Sequence, residues 1–481
     1  MFAKHAENFT QQNYNRLSVL TDTQIQSIHQ ATLKVLEKTG VKVQHEEIRH
    51  FLGKNGCWFE NEIVHFPPHL VEWAIRQAPS QFLLYNRNGE EPITMGGTEV
   101  TYGLGPTLLN MRDHKTGERR KFRKQDTIDA ARLCDALPNI DWVMGLGTIS
   151  DLPSQYSDRH EFDAMVRNTV KPLIVWNYTS EGVEDVIRMA AKIAGSREKL
   201  KNRPFITTAL TSLSPLTFTE DALGKLKVLA ENGIPTINTP APQAGASAPV
   251  TTAGQLVVAN AENLAGLVIS QLINKGLPFV IGGVYSIMDM KTATFAYGAP
   301  ELSLSLAAYM DLGRYYGIPT WGTGGCSDSK IVDKQATIEA SLSLFMSTLS
   351  KANLVHDIGY LESGSTGSLE HIYLANEIIG EIKKFQKNTN VKTNNLVEDL
   401  KPSLEKSLSG DSGQDKQVRG GNSNTKAPLA RPGGKGSIEN WARDQVDQII
   451  ENHHPEQLQE ETKEELDSLL ENLETSSSNE K

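Results

Sequence analysis

The stretch Gly317-Ile318-Pro319-Thr320-Trp321-Gly322-Thr323-Gly324-Gly325-Cys326-Ser327-Asp328-Ser329-Lys330 decides how the chain is read. Gly317 suits the left-handed end of a helix, and Pro319 opens a strand where no ladder donor is needed. Thr320-Trp321 reads as a short buried strand, and the glycines after it permit backbone angles closed to other residues. Ser327, Asp328, Ser329, Lys330 and Asp333 then crowd the entry to a long apolar-patterned helix that runs on through Gln335 and Glu339. A strand ending in glycines before a polar helix start is where α/β proteins place chemistry. Taken alone, the stretch also fits a tight turn capped by Asp328, Ser329 or Asp333.

The same punctuation recurs at Asn232-Gly233-Ile234-Pro235 and Lys275-Gly276-Leu277-Pro278. Short apolar or β-branched runs at 142–149, 173–178, 205–210, 236–239, 279–283, 320–323 and 354–359 alternate with helical segments. Strands at this spacing predict parallel βα units, closer in count to a (β/α)8 TIM barrel than to an open sheet. Residues 100–104, or a segment beyond 370, are the candidates for the eighth strand.

The flanks differ from this rhythm. Residues 1–95 predict a mostly helical subdomain: Thr21 and Gln24 form a capping box, Ile25, Ile28, Thr32, Val35 and Leu36 share a face, and Gly40 ends the run. The barrel is expected over 96–385. Residues 386–437 are rich in Asn, Lys, Ser and Gly and predict a disordered segment, with too little apolar surface to offset ordering entropy. Residues 438–481 predict two acidic helices, the second carrying a Leu466, Leu469, Leu470 and Leu473 stripe suited to packing.

Composition narrows the class. The chain has 481 residues, a net charge of −10 and 38% hydrophobic residues. That balance argues against a general nucleic-acid binder, and no apolar run approaches the ~18 residues of a membrane span. The N-terminus lacks the apolar core of a secretory signal. Cys57, Cys134 and Cys326 form no CxxC pair, which suits a reducing cytoplasm and excludes a disulfide framework.

In a parallel barrel the strand ends converge on one mouth. Those ends supply Thr148, Asn177, Tyr178, Thr211, Ser212, Asn238, Tyr285, Thr323, Ser327, Asp328, Lys330, His356, Tyr360 and Glu362. The set is polar and aromatic, with few cations and no carboxylate cluster. It holds no GxSxG elbow, no Walker A loop and no strand-linked GxGxxG. Cys326, His356 and Glu362 lack zinc-ligand spacing, so no metal is expected. Trp176 and Trp321 are assigned to the barrel core. A tyrosine ring such as that of Tyr102, Tyr178, Tyr285 or Tyr360 facing a methylated ammonium would contribute about 0.5–2 kcal/mol.

The segment Gly322–Glu339, followed by His356-Asp357-Ile358-Gly359-Tyr360-Leu361-Glu362-Ser363-Gly364, resembles the trimethylamine methyltransferase superfamily. So do residues 100–122, with their Asp-His-Lys-Thr-Gly-Glu-Arg-Arg turn, and the stretch from Asn238-Thr239-Pro240-Ala241 to Gly245-Ala246-Ser247-Ala248-Pro249-Val250-Thr251. The resemblance covers roughly residues 15–385 and implies a (β/α)8 barrel that passes a methyl group from a methylated amine to the cob(I)alamin of a cognate corrinoid protein. Family archetypes carry pyrrolysine near the Gly-Gly-Cys-Ser-Asp-Ser stretch, whereas ordinary residues, including Lys330, stand here. Members without pyrrolysine are similar to glycine betaine methyltransferase and act on quaternary amines. A quaternary nitrogen is already cationic, so a neutral tertiary amine can leave. A cytoplasmic homo-oligomer with no tightly bound cofactor is expected. Within it, Asp328, Lys330, His356 and Glu362 are the expected catalytic set, with Tyr102, Asn177, Asn238, Tyr285, Ser327 and Tyr360 around the substrate. A barrel that binds methylated amines without turnover is the alternative, and an enzyme on a phosphorylated substrate ranks behind it.

Overall fold

The computed structural model describes residues 16–386 and 437–478. The segment expected to be disordered, 386–437, lies outside the described residues save at its two ends.

Seven parallel strands form the central sheet: β1 (Thr101–Leu104), β2 (Leu173–Trp176), β3 (Ile206–Leu210), β4 (Thr236–Asn238), β5 (Phe279–Gly282), β6 (Thr320–Thr323) and β7 (Leu354–Ile358). Their order is β1-β7-β6-β5-β4-β3-β2. The gap between β1 and β2 is closed by the chain around Trp142-Val143. Asp141 N and Trp142 N donate to Tyr102 O, Val143 N donates to Pro172 O, and Ile174 N donates to Val143 O. Eight positions therefore complete a (β/α)8 barrel. Residues 100–104, one of the two candidates, supply the missing strand. The run expected over 142–149 pairs at Val143 and again at Gly147, against Leu108, with Leu146 at a φ of +68° breaking the ladder between them.

The barrel interior is aromatic. Trp142 lies over Gly103, where an added Cβ would come within 2.2 Å of the indole. Its Nε1 donates to Thr101 Oγ1, and its ring stacks on Trp321 at 5.5 Å. Trp321 in turn stacks on His356 at 4.2 Å. Both tryptophans are fully buried, which agrees with a core assignment for Trp321.

The outer helices are α1 (Lys124–Ala136), α2 (Ser157–Asn168), α3 (Ser180–Ala194), α4 (Glu220–Asn232), α5 (Thr252–Ile273), α6 (Pro300–Tyr316), α7 (Lys334–Leu349) and α8 (Leu369–Gln386). Thr179, Thr219, Thr251 and Asp333 cap α3, α4, α5 and α7 through side-chain oxygens. Gly233 and Gly317 end α4 and α6 in the left-handed region, at φ of +71° and +67°. Helix α5 is, among the described residues, the one helix long and apolar enough to cross a membrane, but 78% of its apolar window is buried. Its neighbours are the barrel and two helices of the N-terminal region, Asp22–Lys34 and Pro68–Gln77.

The N-terminal elements share one hydrophobic core with the barrel. Thr21 and Gln24 form the expected capping box, and Val41–Val43 pairs in parallel with Thr217–Phe218, just beyond β3. At the other end, α9 (Ile438–Asn452) lies on α8 and α1, and α10 (Glu460–Ser478) lies on α3 and α2. Leu466 and Leu470 are buried there, so half of the leucine stripe is seated against the barrel's outer helices.

Candidate functional site

At the carboxyl end of β7 the ladder register shifts between Val355 and Ile358, and Asp357 adopts a φ of +70°. Neighbouring strand residues normally point to opposite faces. The irregularity re-aims Asp357, so that its Oδ2 comes within 3.4 Å of His356 Nε2. Strain at a non-glycine residue is tolerated where surrounding contacts enforce it, and here they do. Tyr297 OH donates to Asp357 Oδ2 at 3.1 Å, and the Tyr360 hydroxyl bonds the same carboxyl. Gly105 must be a glycine for this approach: a Cβ would sit 2.2 Å from Asp357 Oδ1 and 2.4 Å from Tyr360 OH.

The tyrosines come from different loops. Tyr297 follows β5 and Tyr360 follows β7, with ring centroids 6.2 Å apart at 67°. Thr107 N, in the loop after β1, donates to Tyr360 OH. Asp328, after β6, accepts from Tyr297 N, Gly298 N and Ser363 Oγ. Three βα loops are thus laced to one carboxylate.

Protonation in this chamber follows from burial. His356 Nδ1 lies 2.7 Å from Gly322 O, which can only accept, so Nδ1 carries a hydrogen and Nε2 faces Asp357. That contact is attractive only when the pair holds a proton. Burial lowers the histidine and raises the aspartic acid, while His356, Tyr297 and Tyr360 oppose the rise. A second carboxyl, Glu161 on α2, is fully buried, and burial followed by the nearby Asp158 pushes it well above the usual carboxylate range. Glu161 Oε1, Trp321 Nε1 and Thr323 Oγ1 are buried with no hydrogen-bond partner among the described residues. Buried polar atoms without partners are rare in folded proteins, and each of these three has a hydrogen bond left to make.

The expected site residues separate into two groups. His356, Tyr360 and Asp328 gather at the chamber. Glu362 sits at its rim, bonded to Arg119 at 2.7 Å and to Thr366 at 2.6 Å. Ser327 Oγ donates to Glu339 Oε2 and so ties the glycine loop to α7. The others point elsewhere. Tyr102 OH bonds Thr348 on α7, with Lys383 over its ring. Tyr285 bonds Asn263 on α5 and packs on Tyr309. Asn238 donates to Glu262 O and Asn263 Oδ1 on α5, and Asn177 donates to Asp158 on α2. These four face the helix layer: Tyr102 and Asn238 from the outward phase of β1 and β4, and Asn177 and Tyr285 from just beyond β2 and β5. Lys330 is exposed, outside the buried chamber. Among the described residues, no group of three His, Cys, Asp or Glu is placed to hold a metal ion.

Three chamber residues were not singled out from the sequence: Asp357, Tyr297 and Glu161. A charged residue inside the run Leu354-Val355-His356-Asp357-Ile358 was the available signal for the first. Glu161 carries no such signal, since its helix is as densely charged as a solvent-facing one.

The family model for trimethylamine methyltransferase matches residues 2–406. The trimethylamine methyltransferase of Desulfitobacterium hafniense (strain DSM 10664 / DCB-2) is 35% identical over 76% of this chain and 75% of its own. The glycine betaine methyltransferase of Desulfitobacterium hafniense (strain Y51) is 31% identical over 77% of this chain and 78% of its own. Among solved structures, the monomethylamine methyltransferase of Methanosarcina barkeri superposes with a TM-score of 0.51 at 13% identity, covering 95% of this chain and 93% of that one, which speaks to the fold alone. A family match over most of the chain, with relatives above 30% identity covering three quarters of it, leads to one conclusion: this protein is a methyltransferase and belongs to the trimethylamine methyltransferase family.

Proposed function

We propose that the protein removes a methyl group from a quaternary ammonium compound of the glycine betaine kind and delivers it to a corrinoid carried by a separate protein. The observation that carries this reading is the buried Asp357 carboxyl bonded by the Tyr297 and Tyr360 hydroxyls beyond the strand carboxyl ends. An ammonium placed there meets a carboxylate together with electron-rich ring faces, each worth about 0.5–2 kcal/mol, more as water is excluded. Asp357 and the rings hold the nitrogen, Gly105 keeps the wall close, and the laced loops exclude water. Positioning and desolvation are the chain's contribution to the transfer. The corrinoid would supply the cobalt nucleophile that takes the methyl group as the neutral tertiary amine departs.

A partner that brings the acceptor must reach the mouth from the strand carboxyl ends. Leu109, Leu213, Val250, Met290 and Ile331, one from each of five βα loops, are exposed large apolar side chains on that face. Such residues around an opening suit a transient protein contact. Incubating the purified protein with cob(I)alamin and a panel of betaines, choline and trimethylamine tests the proposal. Methylcobalamin absorbance with a quaternary amine is expected; none with any quaternary amine would sink it.

A further inference from the structure

Helix α2 is buried along most of its length, and its charged side chains have settled partners except at one position. Asp158 is paired with Arg159 at 2.9 Å and accepts from Asn177 and Tyr178 N. Arg159 also binds Asp185, Asp163 holds Lys124 and Arg167, and His160 meets Glu474. Glu161 instead lies flat against Gly145, where an added Cβ would fall 2.1 Å from its carboxyl carbon. Its Oε1 is left buried and unpartnered among the described residues. The groups whose charge it feels are Asp158 on its own helix, Tyr178 beyond β2 and Tyr360 beyond β7. None of these is a cation. The side chain is held as a neutral acid, one O–H donor without an acceptor, beside the tyrosine that also bonds Asp357.

We infer that Glu161 is a specificity-determining residue: its carboxylic O–H donates to the carboxylate of a zwitterionic methylated amine whose ammonium end lies at Asp357, Tyr297 and Tyr360. The inference rests on the reading of this chamber as a methylated-ammonium site. Charge balance supports it. Asp357 faces the ammonium pole, and Glu161, buried without a cation or a hydrogen-bond partner among the described residues, offers the other pole an O–H donor. A zwitterion brings no net charge into the buried site and gives the Glu161 proton an acceptor. A cation lacking a carboxylate brings an uncompensated charge into a buried site and leaves the Glu161 proton without an acceptor.

The test is titration calorimetry of the full chain with glycine betaine and with tetramethylammonium, using wild type, Glu161→Gln and Glu161→Ala. Wild type is expected to bind glycine betaine more tightly than tetramethylammonium. Glu161→Ala should weaken glycine betaine by about 10- to 100-fold, as expected for a lost hydrogen bond to a charged group, and change tetramethylammonium little. Glu161→Gln keeps a donor and should restore most of the betaine affinity. It should also abolish the fall in affinity that wild type shows at alkaline pH, where an ionised Glu161 repels the substrate carboxylate. If Glu161→Ala does not fold, the alkaline limbs of wild type and Glu161→Gln decide the matter. Equal losses for both ligands, a Glu161→Gln limb that follows wild type, or wild-type preference for tetramethylammonium would overturn the assignment of Glu161 alone. Failure of wild type to bind either ligand would overturn the methylated-amine reading with it.

Discussion

The Tyr297 hydroxyl donates to Asp357 Oδ2 across 3.1 Å, joining the loop after β5 to the end of β7. The same loop is pinned by Asp328 through the amides of Tyr297 and Gly298. Because those two bonds use backbone, Tyr297→Phe should keep the loop in place while removing one donor from a buried carboxyl, a change worth about 1–3 kcal/mol. Amine affinity should fall about tenfold, and the melting temperature should fall with it, since the bond is made without a ligand. Tyr297→Leu also removes the ring and should bind more weakly still. Calorimetry on both variants checks the order; equal affinity for Phe and Leu would exclude a part for the ring.

Two glycines make opposite predictions. At Gly103 a new Cβ meets the Trp142 indole at 2.2–2.4 Å inside the barrel, where nothing flexible can give. Gly103→Ala should therefore cost about 1–3 kcal/mol or more in stability, read as a lowered urea midpoint. At Gly145 the clash is with the end of the Glu161 side chain. Gly145→Ala should leave the urea midpoint closer to wild type and reduce glycine betaine binding by displacing that carboxyl.

What the sequence made legible was whatever depends on local chemistry. Gly233 and Gly317 ended helices and Thr21 with Gln24 started one, since caps are decided within a few residues. The direction of a side chain on a fully buried strand is not such a property. A parallel strand is apolar on both faces, so no alternation reveals its phase. Nearness to strand ends directs Tyr102, Tyr285, Asn177 and Asn238 to the mouth, whereas in the fold they face helices. Asp357 escaped for the complementary reason: its direction depends on a register shift that the sequence does not announce. Glu161 was hidden by its helix, whose density of charge reads as solvent-facing until its partners on other elements are known.

Attachment of α10 separates apolar from ionic contributions. Its ion pairs, Lys192–Glu465, Arg167–Asp467 and His160–Glu474, each involve a carboxylate at least 42% exposed. Such pairs contribute about 0–1 kcal/mol and fade with salt. Leu466 is fully buried, and its truncation to Ala should cost about 2–5 kcal/mol. Hydrogen exchange over Glu460–Ser478 should accelerate sharply in Leu466→Ala and hardly at all in Asp467→Asn or in high salt. The reverse pattern would make charge the tether.

His371, at the start of α8, is fully buried, and burial lowers it from 6.5 to about 4. It therefore stays neutral in the folded chain at a pH where the unfolded chain has taken up a proton. Its contribution to stability is complete above pH 6.5 and is lost as pH falls through the window down to about 4. Over the whole window that one group is worth about 3 kcal/mol, at roughly 1.4 kcal/mol per pH unit. His356, His29 and His160 are lowered by burial too and act in the same direction. Urea midpoints should drop between pH 7.5 and pH 5, and the drop should be smaller in His371→Phe, which cannot titrate there. Comparing the two pH values within each variant cancels any packing cost of the substitution. An unchanged drop in His371→Phe would show that the protons taken up on acid unfolding bind elsewhere.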